Sequence, residues 1–394
     1  MGNSRLQLGI MTEYNPAPDL APHLWPDLPL NTTTIIAPPG INPLTTDLFR
    51  SIPPPSLPPT TTMASPTTPP SHRPILDFFS HALTSFHAST TSFEVISTFS
   101  PPARSGPQQL LQNRITAPGP SPPAPPAPTD ATALIVLDSS FNPPTRAHLR
   151  MAVSAAREHR QKQKVPPRVL LVLGVSNADK EARPAALEQR LGMMWAFARD
   201  LRRGLDEDDG GGAEGVSVDI CLSRQPYFHD KSEAIARSGF YGGGGDAGGP
   251  EQVVLVGYDT LVRIFDPKYY GSVSAAASAG PGEETPLRRA LDPFFGRAVL
   301  RVTARADAEW GGRDEQAAYL EDLLKGDGLE RIGGSKEWAK SIEIAEGRKE
   351  GEAIVSSTLA RDAAKIRDGA RLEELVTHGV KRWIDGEKLY TGDT

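Results

Sequence analysis

From Ala133 onward, strand-sized apolar runs alternate with stretches whose apolar residues recur at helical spacing, and this alternation most narrows what the chain can fold into. Ala133 to Leu137, Val169 to Val175, Val216 to Leu222, Val253 to Val256, Ala298 to Thr303 and Ile342 to Ile344 read as strands. Helices are expected over Thr145 to Arg160, from Pro184 through Leu187, Leu191, Met194, Trp195 and Ala198 to about Leu201, and near Lys231 to Arg237. Two more, Ser357 to Ile366 and Leu372 to Ile384, follow the last strand. Runs such as Val253-Val254-Leu255-Val256 are apolar on both faces and need cover above and below, which parallel strands joined through helices supply. The class is therefore α/β, a Rossmann-like doubly wound parallel sheet, with strand order 3-2-1-4-5 counted from Ala133.

The 394 residues exceed one usual domain, and the surplus lies where proline clusters, at Pro53 to Pro59 and in Ala117 to Thr129, which could build almost no core. Residues 1–72 are expected to be a largely disordered Pro/Ser/Thr-rich extension and 101–130 a Pro-rich linker. Met63-Ala64-Ser65-Pro66 opens a second plausible beginning, which would make the first 62 residues dispensable or an extension of the gene model. Within 73–100, Ile75, Phe79, Ala82, Leu83 and Phe86 keep helical spacing, while Phe93, Val95 and Phe99 alternate nearly as a strand does. This small amphipathic unit is expected to pack on the main domain, 131–394. Asp206 to Gly215, Gly242 to Pro250 and Gly271 to Gly282 read as exposed loops. Gly210, Gly212 and Gly215 match a dinucleotide fingerprint, but they precede a strand instead of leading from one into a helix.

A net charge of −6 argues against a nucleic-acid surface while leaving a small nucleotide open. Cys221, the lone cysteine, excludes an internal disulfide framework and is expected to be a buried structural residue. The longest apolar run, near Val169 to Val175, is too short to span a bilayer, and no membrane partner is expected. No signal pattern opens the chain, and Arg5 and Arg50 are too sparse for a transit peptide; cytoplasm and nucleus both fit. The Pro-rich tail suits protein partners.

Three distant stretches carry chemistry: Ser139-Ser140-Phe141-Asn142-Pro143-Pro144-Thr145-Arg146-Ala147-His148, Gly257-Tyr258-Asp259, and Ser356-Ser357-Thr358-Leu359-Ala360-Arg361. Each stands where a strand gives way to a helix, and helix N-termini there offer free backbone N–H groups and a positive dipole end. Thr145 is placed as an N-cap, which puts His148 in the first turn facing those groups. Ser356 or Ser357 begins a helix whose first turn carries Arg361, a cation mildly unfavourable there unless an anion binds. Gly257 permits close backbone approach, and Asp259 can accept from ribose hydroxyls. Taken singly, each has an ordinary alternative as a capped helix start with a solvated polar side chain.

Ser-Phe-Asn-Pro-Pro-Thr-x-x-His, Gly-x-Asp and Ser-Ser-Thr-x-x-Arg in this order resemble the nicotinamide mononucleotide adenylyltransferases of the nucleotidyltransferase superfamily, in a fungal branch. The likeness runs from about 131 to 392 and takes in Asp179-Lys180, Arg190-Leu191, Val302-Thr303-Ala304-Arg305, Leu375-Val376, Trp383-Ile384 and Leu389-Tyr390. It implies the HxGH-type nucleotidyltransferase fold and transfer of AMP from ATP to nicotinamide or nicotinate mononucleotide, with Mg²⁺ arriving on the triphosphate. By the same resemblance, Ser140 and Phe141 lie against the nucleotide, and Thr145 and His148 belong to the histidine motif that meets the ATP phosphates. Lys180 contacts phosphate, Gly257 and Asp259 hold the ribose region, and Ser356, Ser357, Thr358 and Arg361 grip the triphosphate. No protein metal ligands are implied.

Two positions depart from the pattern: Ser139 replaces a glycine, and Ala147 stands where many members have glycine. The tryptophan that stacks on nicotinamide has no clean equivalent; Tyr227 or Phe228 could serve, core packing being the alternative for either. Two other readings stay open: a related transferase with another phosphorylated acceptor, and a nucleotide-binding or ATPase chaperone-like protein without transfer activity.

Overall fold

The strands predicted from Ala133 onward all form, and they assemble into one sheet. The computed structural model describes residues 72–101, 131–163, 165–175, 185–207, 215–242, 249–270, 284–304, 312–347 and 352–392. The expectations for the N-terminal extension, the Pro-rich linker, Met63, Lys180, Arg305 and most of the three Gly-rich loops lie outside the described residues. Strands β1 (Phe93–Phe99), β2 (Ala133–Asp138), β3 (Arg168–Gly174), β4 (Ser217–Ser223), β5 (Glu251–Gly257), β6 (Ala298–Thr303) and β7 (Ile342–Ala345) lie in the order β1-β4-β3-β2-β5-β6-β7. Counted from β2, this contains the expected 3-2-1-4-5, with β7 added beyond β6. All ladders are parallel except β1 with β4, which pair antiparallel from Phe93↔Ser223 to Phe99↔Val218. The segment around Phe93 to Phe99 thus supplies an edge strand of the sheet.

Alternate residues of the central strands β2 to β5 enter opposite cores, as the pleat requires. Ile135 and Leu137 of β2 face one cluster, Leu134 and Val136 the other. The first cluster is covered by α1 (Arg73–Ala88), α2 (Arg146–Gln163) and α3 (Leu187–Glu207). The second lies under α4 (Phe228–Arg237), α5 (Tyr258–Ile264), α6 (Pro286–Phe295) and α7 (Arg313–Lys325). The C-terminal α8 (Ser357–Lys365), α9 (Gly369–Leu375) and α10 (His378–Glu387) return to the first face.

Leu372 to Ile384, expected as one helix, is two. The backbone is extended at Val376 (φ −121°, ψ 167°) and Thr377 (φ −75°, ψ 161°). The break lets α9 pack toward α2 and α10 against α3, so Leu375, Val376 and Val380 are all fully buried. Asp200 of α3 accepts the Gly379 N–H at 2.7 Å and so caps the start of α10. Deeper in, a Cβ on Gly192 would sit 2.0 Å from the Trp383 ring, so only glycine lets the indole approach. The His72 ring stacks on the other side of this region, 4.1 Å from the Trp383 ring at 8°, and its Nδ1 meets Glu387 Oε1 at 2.9 Å. That stack fastens the start of α1 to the C-terminal helix.

One polar cluster is built into the β1-β4-β3 edge. Asp219 of β4 is fully buried and takes Arg168 Nε at 3.0 Å and Nη2 at 2.7 Å, with Thr98 Oγ1 donating at 2.6 Å and Tyr241 OH at 3.1 Å. Cys221 is fully buried beside it, and burial pushes both the Cys221 thiol and the Tyr241 phenol well up from their ordinary values.

Candidate functional site

The first and second stretches leave adjacent strands at the same edge of the sheet, since β2 and β5 pair with Leu137 opposite Leu255. In a doubly wound sheet this is where the winding reverses, with β3 and β4 on one side of β2 and β5 to β7 on the other.

After Asp138 the chain passes Phe141, whose backbone is left-handed at φ 45° although it is a bulky residue with a fully buried side chain. The Asn142–Pro143 peptide is cis. Helix α2 starts at Arg146, so Thr145 is the N-cap residue and His148 the third helical position. The Thr145 carbonyl accepts from Leu149 N–H at 3.1 Å, but its hydroxyl reaches His148 Nδ1, at 2.9 Å, where a helix N–H was expected. The imidazole in turn reaches back to accept the Thr145 backbone N–H at 3.0 Å, taking the part that Glu or Gln plays in a capping box.

That contact assigns a tautomer. A backbone amide can only donate, so Nδ1 must accept, and the neutral ring carries its proton on Nε2. Nε2 lies 3.1 Å from Ser139 Oγ. Ser139, a mere departure from the motif in sequence, is therefore the partner of the donor edge of His148. Sequence reasoning missed it because a nine-residue separation across an irregular turn has no periodic signature.

The third stretch is bonded directly to the first. Ser356 is extended and caps α8, accepting Leu359 N–H at 3.2 Å. Ser357 Oγ donates to the Pro143 carbonyl at 2.8 Å; Arg361 Nη1 donates to the Asn142 carbonyl at 2.8 Å and Nη2 to Thr358 Oγ1 at 3.0 Å. Tyr390 OH holds Asn142 Oδ1 at 2.7 Å, and Arg150 of α2 pairs with Glu352, just ahead of Ser356, at 2.7 Å. Buried Arg190 of α3, whose Nε donates to Ala185 O at 2.8 Å, brings a further guanidinium to the region. Burial lowers its pKa from the ordinary guanidinium value; Tyr390 opposes that shift and the Arg361 charge adds to it.

In the second stretch Gly257 ends β5 and is the N-cap residue of α5. A Cβ there would meet Asp259 Oδ1 at 2.8 Å, so glycine is what lets the carboxylate fold back over the strand end. Tyr227 and Phe228 follow β4. Phe228 packs against the second core, whereas Tyr227 is 37% exposed, its ring 5.7 Å from His229 at 10°, with Tyr270 5.6 Å beyond. Burial lowers the pKa of the His229 ring, with Asp230 and Glu233 opposing the shift and Arg297 adding to it. Of the two sequence candidates, Tyr227 presents an open aromatic face.

Sequence reasoning also missed Asp138 and Lys231. Lys231 of α4 reaches across to the Asp138 carboxylate at the end of β2, with side chains only 12% and 8% exposed.

The structure thus brings together Ser140, Phe141, Thr145, His148, Ser356, Ser357, Thr358 and Arg361, with Gly257 and Asp259 on the neighbouring strand end; Lys180 lies outside the described residues.

No family model matches the chain. A Schizosaccharomyces pombe protein named "Putative nicotinamide mononucleotide adenylyltransferase" is 33% identical over 230 residues, spanning 58% of this chain and 75% of that protein. Among solved structures, Plasmodium falciparum nicotinic acid mononucleotide adenylyltransferase complexed with NaAD matches 66% of this chain and 97% of its own at 11% identity, TM-score 0.35. Thermotoga maritima TmcAL bound with alpha-thio ATP matches 65% and 56% at 14% identity, TM-score 0.28. Likenesses this slight carry no argument, and the fold stands on the sheet order itself. The identity and coverage of the yeast relative are decisive: the chain belongs to the nicotinamide mononucleotide adenylyltransferase family.

Proposed function

We propose that this protein transfers the adenylyl group of ATP to a pyridine mononucleotide, nicotinamide or nicotinate, giving NAD or its deamido form and pyrophosphate. The observation that carries this reading is the joining of the first and third stretches: Ser357 and Arg361 bond the carbonyls of Pro143 and Asn142, so the His148 turn and the Ser356–Arg361 helix start form one donor-rich wall. Ser357, Thr358, Arg361 and the His148 Nε2–H bring hydroxyl and N–H donors and a positive charge to that wall, which suits a triphosphate.

A 5′-phosphate oxygen of the mononucleotide attacks the α-phosphorus of ATP in line. A new P–O bond forms as the bond to the β-phosphate's bridging oxygen breaks, and pyrophosphate leaves with that electron pair. No protein nucleophile or base is needed, so the protein positions the reactants and neutralises charge. In this reading a phosphoryl oxygen takes the place of Ser139 Oγ at His148 Nε2–H, the ring staying where the Thr145 N–H holds it. Arg361, with five N–H donors of which Asn142 and Thr358 engage two groups, shares the remainder with the triphosphate. Ser140 and Phe141 offer backbone contacts, Ser356 to Thr358 hydroxyls and helix N–H groups, Gly257 and Asp259 the ribose contact, and Lys180 a further phosphate contact. Among the described residues no three His, Cys, Asp or Glu side chains lie together to hold a metal. Mg²⁺ would arrive with the triphosphate, held by phosphate oxygens and water.

The pyridine ring is assigned to the open face of Tyr227. Tyr227→Ala should raise KM for the mononucleotide about tenfold with kcat little changed, since stacking on an aromatic side chain is worth ~1–3 kcal/mol. An unmoved KM would remove Tyr227 from the site. The whole reading is tested by incubating the full chain with ATP, Mg²⁺ and either mononucleotide. Dinucleotide and pyrophosphate in equal amounts are expected; no dinucleotide from either acceptor would overturn the reading, and hydrolysis of ATP alone would favour a nucleotide-binding protein without transfer.

A further inference from the structure

We propose that the Asp138–Lys231 pair decides which pyridine mononucleotide is accepted, by keeping a second carboxylate out of the acceptor pocket; this rests on the adenylyl-transfer reading above. Asp138 is the last residue of β2 and directly precedes Ser139, the partner of His148. Lys231 stands one turn into α4 from Tyr227, its backbone N–H donating to the Tyr227 carbonyl at 3.0 Å. Its ammonium lies over the Phe228 ring, 5.6 Å from the centroid, and meets Asp138. The pair therefore ties the strand end beside Ser139 to the helix start beside Tyr227, and in the transfer reading a mononucleotide with its phosphate at the first and its ring at the second passes next to it.

Stability alone does not account for a charge pair in this position. Both side chains are largely out of water, and an apolar pair of the same volume would hold α4 to β2 about as well, because desolvation offsets most of the attraction. What the pair does change is the charge an incoming ligand meets. Nicotinamide and nicotinate mononucleotides differ only in a carboxamide against a carboxylate. A carboxylate arriving beside Asp138 meets a like charge, and finds the Lys231 ammonium already neutralised. A carboxamide has no charge for Asp138 to repel and can donate an N–H to the acceptor positions that Lys231 leaves on that carboxylate. A placed like charge is an effective device for rejecting a wrong partner, ample for a clear preference.

The test is the ratio of kcat/KM for the two acceptors, measured on the full chain and on Asp138→Asn and Lys231→Met, with melting curves to show that each variant is folded. The wild type should favour nicotinamide mononucleotide. Asp138→Asn exposes the ammonium and should move the ratio toward nicotinate by about tenfold or more, and Lys231→Met, leaving the carboxylate alone, should move it the other way. A merely structural pair would weaken both acceptors alike in both variants. If either single variant fails to fold, the double variant Asp138→Leu/Lys231→Met keeps an apolar contact in place of the pair and should discriminate less than wild type. An active protein whose ratio stays within about twofold of wild type in the folded variants, or a wild type that favours nicotinate, overturns this proposal alone. A wild type that makes dinucleotide from neither acceptor overturns the transfer reading, and this proposal with it.

Discussion

His148→Ala is expected to lower kcat by about a hundredfold or more, the usual cost of removing a preorganised donor from a developing anionic charge. The argument rests on the tautomer. Because Thr145 N–H donates to Nδ1, the only ring proton is on Nε2, and the ring is locked to present it on the side where Ser139 Oγ lies. A donor held in place before the reaction does not have to be reoriented during it. The substitution also removes the acceptor that completes the α2 cap, which should cost about 1 kcal/mol of stability. Loss of rate should thus far outrun loss of stability. Steady-state rates beside a thermal melt separate the two, and a folded variant with wild-type turnover would take His148 out of the chemistry.

The largest expected effect on stability lies away from the site. Asp219→Ala should destabilise the protein by about 3–5 kcal/mol, because it leaves the Arg168 guanidinium largely buried without its carboxylate. Asp219 is fully buried and Arg168 is 15% exposed at its side chain, so water cannot easily replace the lost partner. Thr98 and Tyr241 lose the same acceptor. A fall in Tm of roughly 10 °C or more is the corresponding observable. Asp219 sits in the first half of β4, whereas the reacting groups gather beyond the strands' C-terminal ends, so the folded variant should turn over normally at low temperature. A Tm within a degree or two of wild type would mean that the cluster relaxes or hydrates, and that the edge does not depend on it.

The site was legible in unequal parts. Ser139 to His148, Gly257 to Asp259 and Ser356 to Arg361 are local signals, a turn chemistry followed by a helix start, and such signals survive in one dimension. The break at Val376 and Thr377 was not legible, because Leu372 to Ile384 keeps helical spacing and only the competing partners α2 and α3 force the bend. The need for glycine at 192 was not legible either, because it comes from the Trp383 ring, 191 positions along the chain, which fills the space a side chain would take. Phe93 to Phe99 showed strand alternation, but which edge it would extend depended on β4 being the last exposed strand of that side.

By itself, then, the amino-acid order determined the α/β class, the winding of the sheet, the three phosphate-handling stretches and the family resemblance, because all of these are written in periodicity and in contiguous motifs. Only the tertiary structure decided how the stretches are used. Ser357 and Arg361 bond the Asn142 and Pro143 carbonyls across more than two hundred positions of chain, Ser139 rather than an expected glycine meets the donor edge of His148, and Lys231 spends its charge on Asp138. The physical reason is common to all three. A hydrogen bond or ion pair depends on distance in space and on what burial does to an unmet partner, and neither leaves a mark on the spacing of residues along the chain.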